Sequence, residues 1–154
     1  MKGVLSIMDK KMEQLRALEV GRKVSFTKTV SESDVYLFAG ITGDFSPNHV
    51  NEEYMKSTKY KKRIAHGGLT VGFMNTVSTL MGRIHREICP DVVRVSYGYD
   101  RIRFIKPVFI GDTVTTEYII SNINEEEAKI YADVKVYNQS KELVAVATHI
   151  IKVI

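Results

Sequence analysis

The sequence has little of what builds disulfides, zinc clusters or membrane spans. Only one cysteine occurs in 154 residues, so Cys89 can form neither an internal disulfide nor a zinc site by itself. No apolar run is long enough to span a bilayer, and the N-terminus lacks the apolar core and small-residue cleavage site of a secretory signal. We therefore expect a cytoplasmic protein that works in reducing surroundings and does not enter a membrane.

Strong charge of one sign is also absent. The net charge is +4, from 22 basic and 18 acidic residues, which is too mild to require nucleic acid as a partner. The one concentrated basic run lies at residues 56–63 and includes Lys59, Lys62 and Arg63. It is either a solvated surface loop or a docking patch for a phosphorylated ligand, since lysine and arginine both pair with phosphate.

The composition, with 44% hydrophobic and 26% charged residues, is that of one globular domain, and its first half is mainly helical. Residues 10–18 are expected to form a short amphipathic helix or arm. Residues 23–30 alternate between apolar and polar side chains, which predicts a strand. Ser31 and the acids after it predict a helix that ends near Gly43. Residues 69–86 are the longest helical candidate, and this helix is apolar on most sides and therefore expected to be buried.

The second half of the chain is rich in β-branched and aromatic residues. Residues 92–105, 113–122, 129–137 and 143–153 predict strands separated by turns. In the third of these, apolar and polar side chains alternate, as expected of a strand with one covered face. The last three strands follow one another like hairpins and imply an antiparallel sheet. One strongly apolar helix and one such sheet predict an α+β domain in which the sheet curls around the helix.

The most informative stretch is DFSPNH, residues 44–49. It places a carboxylate, Asp44, and an imidazole, His49, five residues apart across Pro47. Because proline has no N–H donor and restricts the residue before it, we expect the two side chains to lie on an irregular loop. His66 follows His49 by seventeen residues and precedes a glycine pair at the start of the long helix. A carboxylate, an imidazole and a glycine-rich helix start are the parts that proton transfer on a carbonyl compound needs.

Three segments resemble one protein family. FAGITGDFSPNH (residues 38–49) resembles the hydratase motif of MaoC-like proteins, which include the (R)-specific enoyl-CoA hydratases and have the hot-dog fold. IAHGGL (residues 64–69) looks like the start of the family's central helix. RFIKPVFIGDTV (residues 103–114) resembles one of its strand-turn-strand segments. The resemblance implies a single hot-dog domain over residues 1–154, with residues 1–18 as an N-terminal arm.

The same resemblance assigns expected roles to five residues. Asp44 and His49 would be the catalytic pair for reversible syn hydration of trans-2-enoyl-CoA to (R)-3-hydroxyacyl-CoA. Backbone N–H groups at Gly67 and Gly68 would stabilise the substrate carbonyl oxygen. Asn75 stands where well-known relatives carry a serine near the reacting water, so a role in orienting water or substrate is expected despite this departure. Coenzyme A would enter as part of the substrate, and no metal or redox cofactor is expected.

The family also suggests how the protein assembles and what it contacts. It implies a homodimer formed by sheet continuation, or a higher oligomer, that takes acyl-CoA or acyl carrier protein thioesters. Lys59, Lys62 and Arg63 would then contact the coenzyme A phosphates. Three other functions stay open: a 3-hydroxyacyl dehydratase acting on acyl carrier protein, a thioesterase of the same fold, and a non-catalytic acyl-thioester binding module.

Three further histidines are expected to have structural roles. His66 would stabilise its turn or bond a backbone carbonyl. His85 lies near the end of the long helix, where a positive imidazole interacts favourably with the helix dipole. His149 lies in the last predicted strand, where we expect a buried histidine with satisfied hydrogen bonds.

Overall fold

The computed structural model describes residues 7–154, which form helices and strands in the order expected from the sequence. The helices are α1 (Ile7–Arg16), α2 (Glu32–Thr42), α3 (Pro47–Val50), α4 (Glu52–Lys56) and α5 (Gly67–Ile88). The strands are β1 (Lys23–Thr29), β2 (Arg94–Phe104), β3 (Thr113–Asn124), β4 (Lys129–Tyr137) and β5 (Leu143–Val153). Of the predicted N-terminal arm, the first six residues lie outside the described part. No helix within residues 7–154 has the length and apolar character needed to cross a membrane.

The five strands form one antiparallel sheet in the order β1-β3-β4-β5-β2. Alternate residues of β4, from Ile130 to Val136, are buried, whereas Asp133 and Lys135 between them are exposed. One face of this sheet therefore covers the core, and β1 and β2 are its edge strands. This is the predicted α+β arrangement of an antiparallel sheet with a central helix.

Helix α5 supplies much of the core that the sheet covers. Phe73, Met74, Val77 and Met81 recur at three- and four-residue spacing and are all buried. The helix packs mainly against β1 and β3. It begins at Gly67, two residues before the predicted start, so the glycine pair belongs to the helix itself and not to the turn before it.

The segment between β1 and α5 contains one correction to the predicted structure. Helix α2 begins as expected, because Ser31 and Asp34 form a reciprocal capping box, and it ends at Gly43, which adopts φ 79°. Residues 44–49, however, are not all irregular, because Pro47 begins the short helix α3 and places His49 on a helical turn. Proline is accommodated at the first position of a helix, where its missing N–H would have no intrahelical acceptor.

Two histidines are fully buried far from the 44–49 segment. The Nδ1 atom of His149 lies 2.9 Å from the Tyr118 hydroxyl, and its Nε2 atom lies 2.8 Å from Ser96 Oγ. Both ring nitrogens therefore have hydrogen-bond partners, as expected of this buried histidine. Neither ring nitrogen of His85 has a hydrogen-bond partner among the described residues. Burial, with Arg94 and then Arg22 adding repulsion, lowers the pKa of His85 to about 4. The expectation of a positive imidazole at this helix end is therefore wrong, because desolvation outweighs the helix dipole.

These histidines make stability depend on pH. Burial also lowers the pKa of His149 to about 4, whereas histidines in the unfolded chain titrate near their ordinary value of 6.5. The unfolded state therefore binds more protons between pH 6.5 and 4, and the stability present above that window is lost as the pH falls through it.

We predict that His85→Leu makes the protein less sensitive to acid. At pH 7 the free energy of unfolding should change by no more than about 1 kcal/mol, because the imidazole has no partner to lose. Between pH 7 and pH 5 the variant should lose about 1–2 kcal/mol less than the wild type. Urea unfolding at both pH values measures this difference. Equal losses in the two proteins would show that His85 is not held neutral by the fold.

Candidate active site

Asp44 follows the C-terminus of α2 and presents its carboxylate to solvent. Its side chain is 51% exposed. Its Oδ1 atom accepts a hydrogen bond from the Ser46 N–H at 3.2 Å, and its own N–H donates to Thr42 Oγ1 at 3.3 Å. These local bonds orient the side chain and leave the second carboxylate oxygen, Oδ2, available for another contact.

His49 faces that second oxygen. Its side chain is only 12% exposed, and its Nε2 atom lies 3.9 Å from Asp44 Oδ2. Its Nδ1 atom lies 2.7 Å from the Ile64 carbonyl oxygen, which can only accept, so Nδ1 donates a proton there and Nε2 is the ring nitrogen that faces Asp44. A separation of 3.9 Å is too long for a direct hydrogen bond but allows both groups to contact one shared water or substrate atom.

His66 is a third titratable side chain at the same place. It is 1% exposed, its Nε2 atom lies 2.9 Å from the Asp44 carbonyl oxygen, and its ring stacks on that of His49. The expectation that it bonds a backbone carbonyl is confirmed. Asp44, His49 and His66 each offer one metal-ligand atom within 4.8 Å of the others, a grouping that no spacing in the sequence indicated.

The start of α5 borders the same site. A cavity of about 210 Å³ is lined by His49, Gly67, Thr70 and Phe104, among others. The N–H groups of the first helical turn have no acceptor within the helix, so Gly67 and Gly68 present oriented donors there. A Cβ atom at Gly67 would lie 2.6 Å from the Phe104 ring, and one at Gly68 would lie 2.7 Å from the Phe38 ring. Both positions therefore need glycine for close packing.

The family model described as the MaoC like domain matches residues 16–142. This chain belongs to the MaoC-like family. A curated relative, the (R)-specific enoyl-CoA hydratase of Rhodospirillum rubrum, is 41% identical over 110 residues, which cover 71% of this chain and 71% of that protein. The 3-hydroxybutyryl-CoA dehydratase of Methylorubrum extorquens is 36% identical over 112 residues, covering 73% of this chain and 66% of that protein. The unliganded R-hydratase PhaJ1 of Pseudomonas aeruginosa matches with a TM-score of 0.72 and 28% identity, covering 89% of this chain and 83% of that chain.

Asn75 of this MaoC-like domain lies apart from the Asp44–His49 pair within one chain. It is eight residues beyond Gly67 on α5, and its Oδ1 atom accepts a 2.8 Å hydrogen bond from the Tyr99 hydroxyl. It lines a second and larger cavity, of about 570 Å³, between α5 and β2. The chain alone therefore brings Gly67 to His49 but places Asn75 in a different cavity, and its expected role stays a prediction.

Of the three basic residues expected to contact phosphate, Arg63 is held in ion pairs within residues 7–154 and the two lysines are not. Arg63 is 13% exposed, and its guanidinium contacts Glu32 at 2.6 Å and Glu52 at 3.0 Å, so it ties α2 to α4. Lys59 and Lys62 are exposed, and no carboxylate partner is recorded for either in the described part of the chain. The sequence alone could not show that Arg63 is ion-paired and the two lysines are not, because its partner Glu32 is distant along the chain.

We predict opposite effects of alanine at two glycines of α5. Gly72→Ala should raise the free energy of unfolding by about 0.5–1 kcal/mol, because its Cβ would meet no atom within 4 Å and alanine favours the helix. Gly68→Ala should give no gain or a loss, because Phe38, which packs against His66, would have to move. Urea unfolding of both variants tests this, and an equal gain at both positions would contradict the packing described.

Proposed function

We propose that this protein is an (R)-specific enoyl-CoA hydratase, which reversibly adds water to trans-2-enoyl-CoA and forms (R)-3-hydroxyacyl-CoA. The observation that carries the proposal is the 3.9 Å separation of Asp44 Oδ2 and His49 Nε2 beside the start of α5. The names of the relatives with 41% and 36% identity support the same substrate class.

The geometry of the pair suits acid–base chemistry on one face of the substrate. Hydration needs a base that takes a proton from water as its oxygen attacks C3, and an acid that protonates C2. The carboxylate of Asp44 and the Nε2 lone pair of His49 can share one water, and the proton taken up can be returned to C2 from the same side. Delivery of both groups from one side gives syn addition.

The start of α5 is placed to stabilise the charge that develops on the thioester carbonyl. As C3 is attacked, the carbonyl oxygen gains enolate character. The N–H groups of Gly67 and Gly68 lie at the positive end of the helix dipole and would donate hydrogen bonds to that oxygen. Thr70 lines the same cavity one turn later.

Coenzyme A is proposed as part of the substrate and not as a cofactor. The acid and base are both side chains of the chain, so we propose that the reaction requires no metal or redox group. Lys59 and Lys62 would pair with the coenzyme phosphates. Arg63 lies close by in the sequence but is already neutralised by two glutamates, so its contribution to phosphate binding would be smaller.

We further propose that the protein is a homodimer joined at β2. This strand is a sheet edge, and it presents Val95 and Tyr97 with 42% and 63% of their surface exposed, next to Val93, which precedes the strand and is 57% exposed. Pairing of β2 with the same strand of a second copy would satisfy its free backbone groups and cover these side chains. The cavity that contains Asn75 borders β2 and would then lie at the interface, where we propose that it receives the acyl chain.

We predict that the wild-type protein hydrates crotonyl-CoA or a longer enoyl-CoA and that Asp44→Asn and His49→Ala each lower kcat/KM by at least about 100-fold. Loss of enoyl-thioester absorbance measures the reaction, and chiral analysis should identify the (R)-alcohol. Circular dichroism checks that both variants are folded.

Other outcomes of this assay separate the remaining functions. Release of free thiol would indicate a thioesterase, and turnover only of carrier-protein thioesters would indicate the dehydratase. Binding without turnover on any thioester would indicate a non-catalytic module. Turnover that survives both substitutions would refute the assignment of the pair.

We predict that Val95→Glu converts a dimer into a monomer, because it would bury two carboxylates at the paired edges. Size-exclusion chromatography with light scattering measures the mass in solution. Thr27→Glu adds the same charge to an exposed position of the opposite edge strand, β1, and should leave the dimer intact. A dimeric Val95→Glu protein or a monomeric wild type would rule out the proposed interface.

A further inference from the structure

His66 has a buried ring that does not cap the helix it precedes. It is the residue that precedes α5, with φ −62° and ψ 137°, but its side chain makes no capping hydrogen bond to that helix. The side chain is 1% exposed. A buried polar group that does not cap its own helix has given up hydration for other contacts, and these contacts indicate its role.

The first contact is with the backbone of Asp44. The Nε2 atom of His66 lies 2.9 Å from the Asp44 carbonyl oxygen, which can only accept, so Nε2 donates the proton. Nδ1 is buried without a partner among the described residues. His66 therefore serves as a hydrogen-bond donor to the Asp44 backbone through Nε2, and Nδ1 makes no contact in the described part of the chain that would replace this one.

The second contact is with the ring of His49. The two imidazole centroids are 3.8 Å apart with an interplanar angle of 30°, so His66 covers one face of His49. The edge of His49 is held by the bond from its Nδ1 atom to the Ile64 carbonyl oxygen. One edge and one face of His49 are therefore held by residues that are two positions apart in the chain.

The segment that makes these contacts is itself anchored. The Ile64 N–H donates to the Asn48 carbonyl oxygen at 3.0 Å, and the Ala65 N–H donates to the Val108 carbonyl oxygen at 2.7 Å. Residues 64–66 thus connect α3 to the sheet side of the molecule and end immediately before α5. Loss of the His66 side chain would release the Asp44 backbone and the His49 ring, whereas the His66 carbonyl oxygen, which accepts from the Leu69 and Thr70 N–H groups, would still hold the first turn of α5.

We propose that His66 is a positioning residue for hydration, because it holds the Asp44 backbone and the His49 ring at the separation at which they share one water. This inference rests on the proposed hydratase function. His66 would not itself contact the substrate. It acts through the pair, so its loss should lower kcat and leave KM nearly unchanged, since the helix N–H groups that would bind the thioester remain.

Three substitutions separate the two contacts. His66→Gln keeps an N–H donor for the Asp44 carbonyl, His66→Phe keeps a ring on His49, and His66→Ala keeps neither. On crotonyl-CoA, or the enoyl-CoA that the wild type turns over best, His66→Ala should lower kcat by about 10- to 100-fold with KM within about threefold of wild type. The other two variants should retain intermediate rates. His85→Gln, a matched change of another buried histidine, near the far end of α5, should not alter kcat.

A double-mutant cycle distinguishes positioning from general loosening of the structure. If His66 acts through the pair, adding His66→Ala to Asp44→Asn should lower the residual rate by less than about threefold. Multiplicative losses, a loss confined to KM, or wild-type kcat in His66→Ala would overturn the inference. If the alanine variant does not fold, the glutamine and phenylalanine variants, with thermal melting as a check, provide the same comparison.

A second readout does not depend on activity. Long-range ¹H–¹⁵N spectra of the histidine rings, assigned with His66→Gln, should show a proton on Nε2 of His66 that is held in a hydrogen bond. A ring protonated only at Nδ1 would overturn the inference even if the protein turned over no enoyl-CoA. Failure of the wild type on every enoyl thioester with the expected Nε2 proton present would count against the proposed function alone.

Discussion

The packing of α5 against the sheet fixes the helical turn around which the candidate site is built. Phe73, Met74, Val77 and Met81 are buried in the core, and this fixes the axis and rotation of the helix. Once the axis is fixed, the first turn can only emerge beside Phe104 of β2. The N-terminus of the helix, which is the positive end of its dipole, is thereby fixed in position. Gly67 in that first turn and His49 line the same cavity.

The irregular segments around that point are held by backbone contacts and not by a large apolar surface. The Ile64 carbonyl holds His49, the Asp44 carbonyl accepts from His66, and Arg63 joins Glu32 to Glu52 across two short helices. Carbonyl oxygens are suitable anchors for imidazoles because they accept without titrating. The fold therefore sets which nitrogen of each histidine donates to the backbone, and the other nitrogen of His49 is the one that faces the carboxylate.

The architecture could be predicted from the sequence because its periodicities are local. Alternation along β4 and the apolar spacing of α5 are properties of neighbouring residues, and the hydroxyl cap at Ser31, followed by acids, is read directly from the sequence. The start of α5 was predicted two residues late, because a glycine pair carries a turn signal even when it lies in the first helical turn. The prediction that residues 44–49 form an irregular loop was wrong for a similar reason, because proline occurs both where helices end and where they begin.

What could not be predicted depends on contacts between distant segments. The spacing of Asp44 and His49 indicated a pair, but the role of His66 depends on a bond across 22 residues. The neutral state of His85 depends on burial by other parts of the fold, which outweighs the local effect of the helix end. The engagement of Arg63 depends on Glu32, 31 residues earlier.

The two edges of the sheet differ in chemistry. The outward side chains of β1 are paired with those of β3: Lys23 with Glu117, Thr27 with Thr115 and Thr29 with Thr113. Those of β2 are mixed, because Val95, Tyr97 and Phe104 are exposed on the same strand as Asp100, Arg101 and Arg103. A sheet in which both edges can pair with another copy can grow without limit into a filament. A sheet in which only one edge can pair accepts a single partner. If the proposed dimer forms at β2, the polar pairs on β1 would disfavour the addition of further copies at the opposite edge.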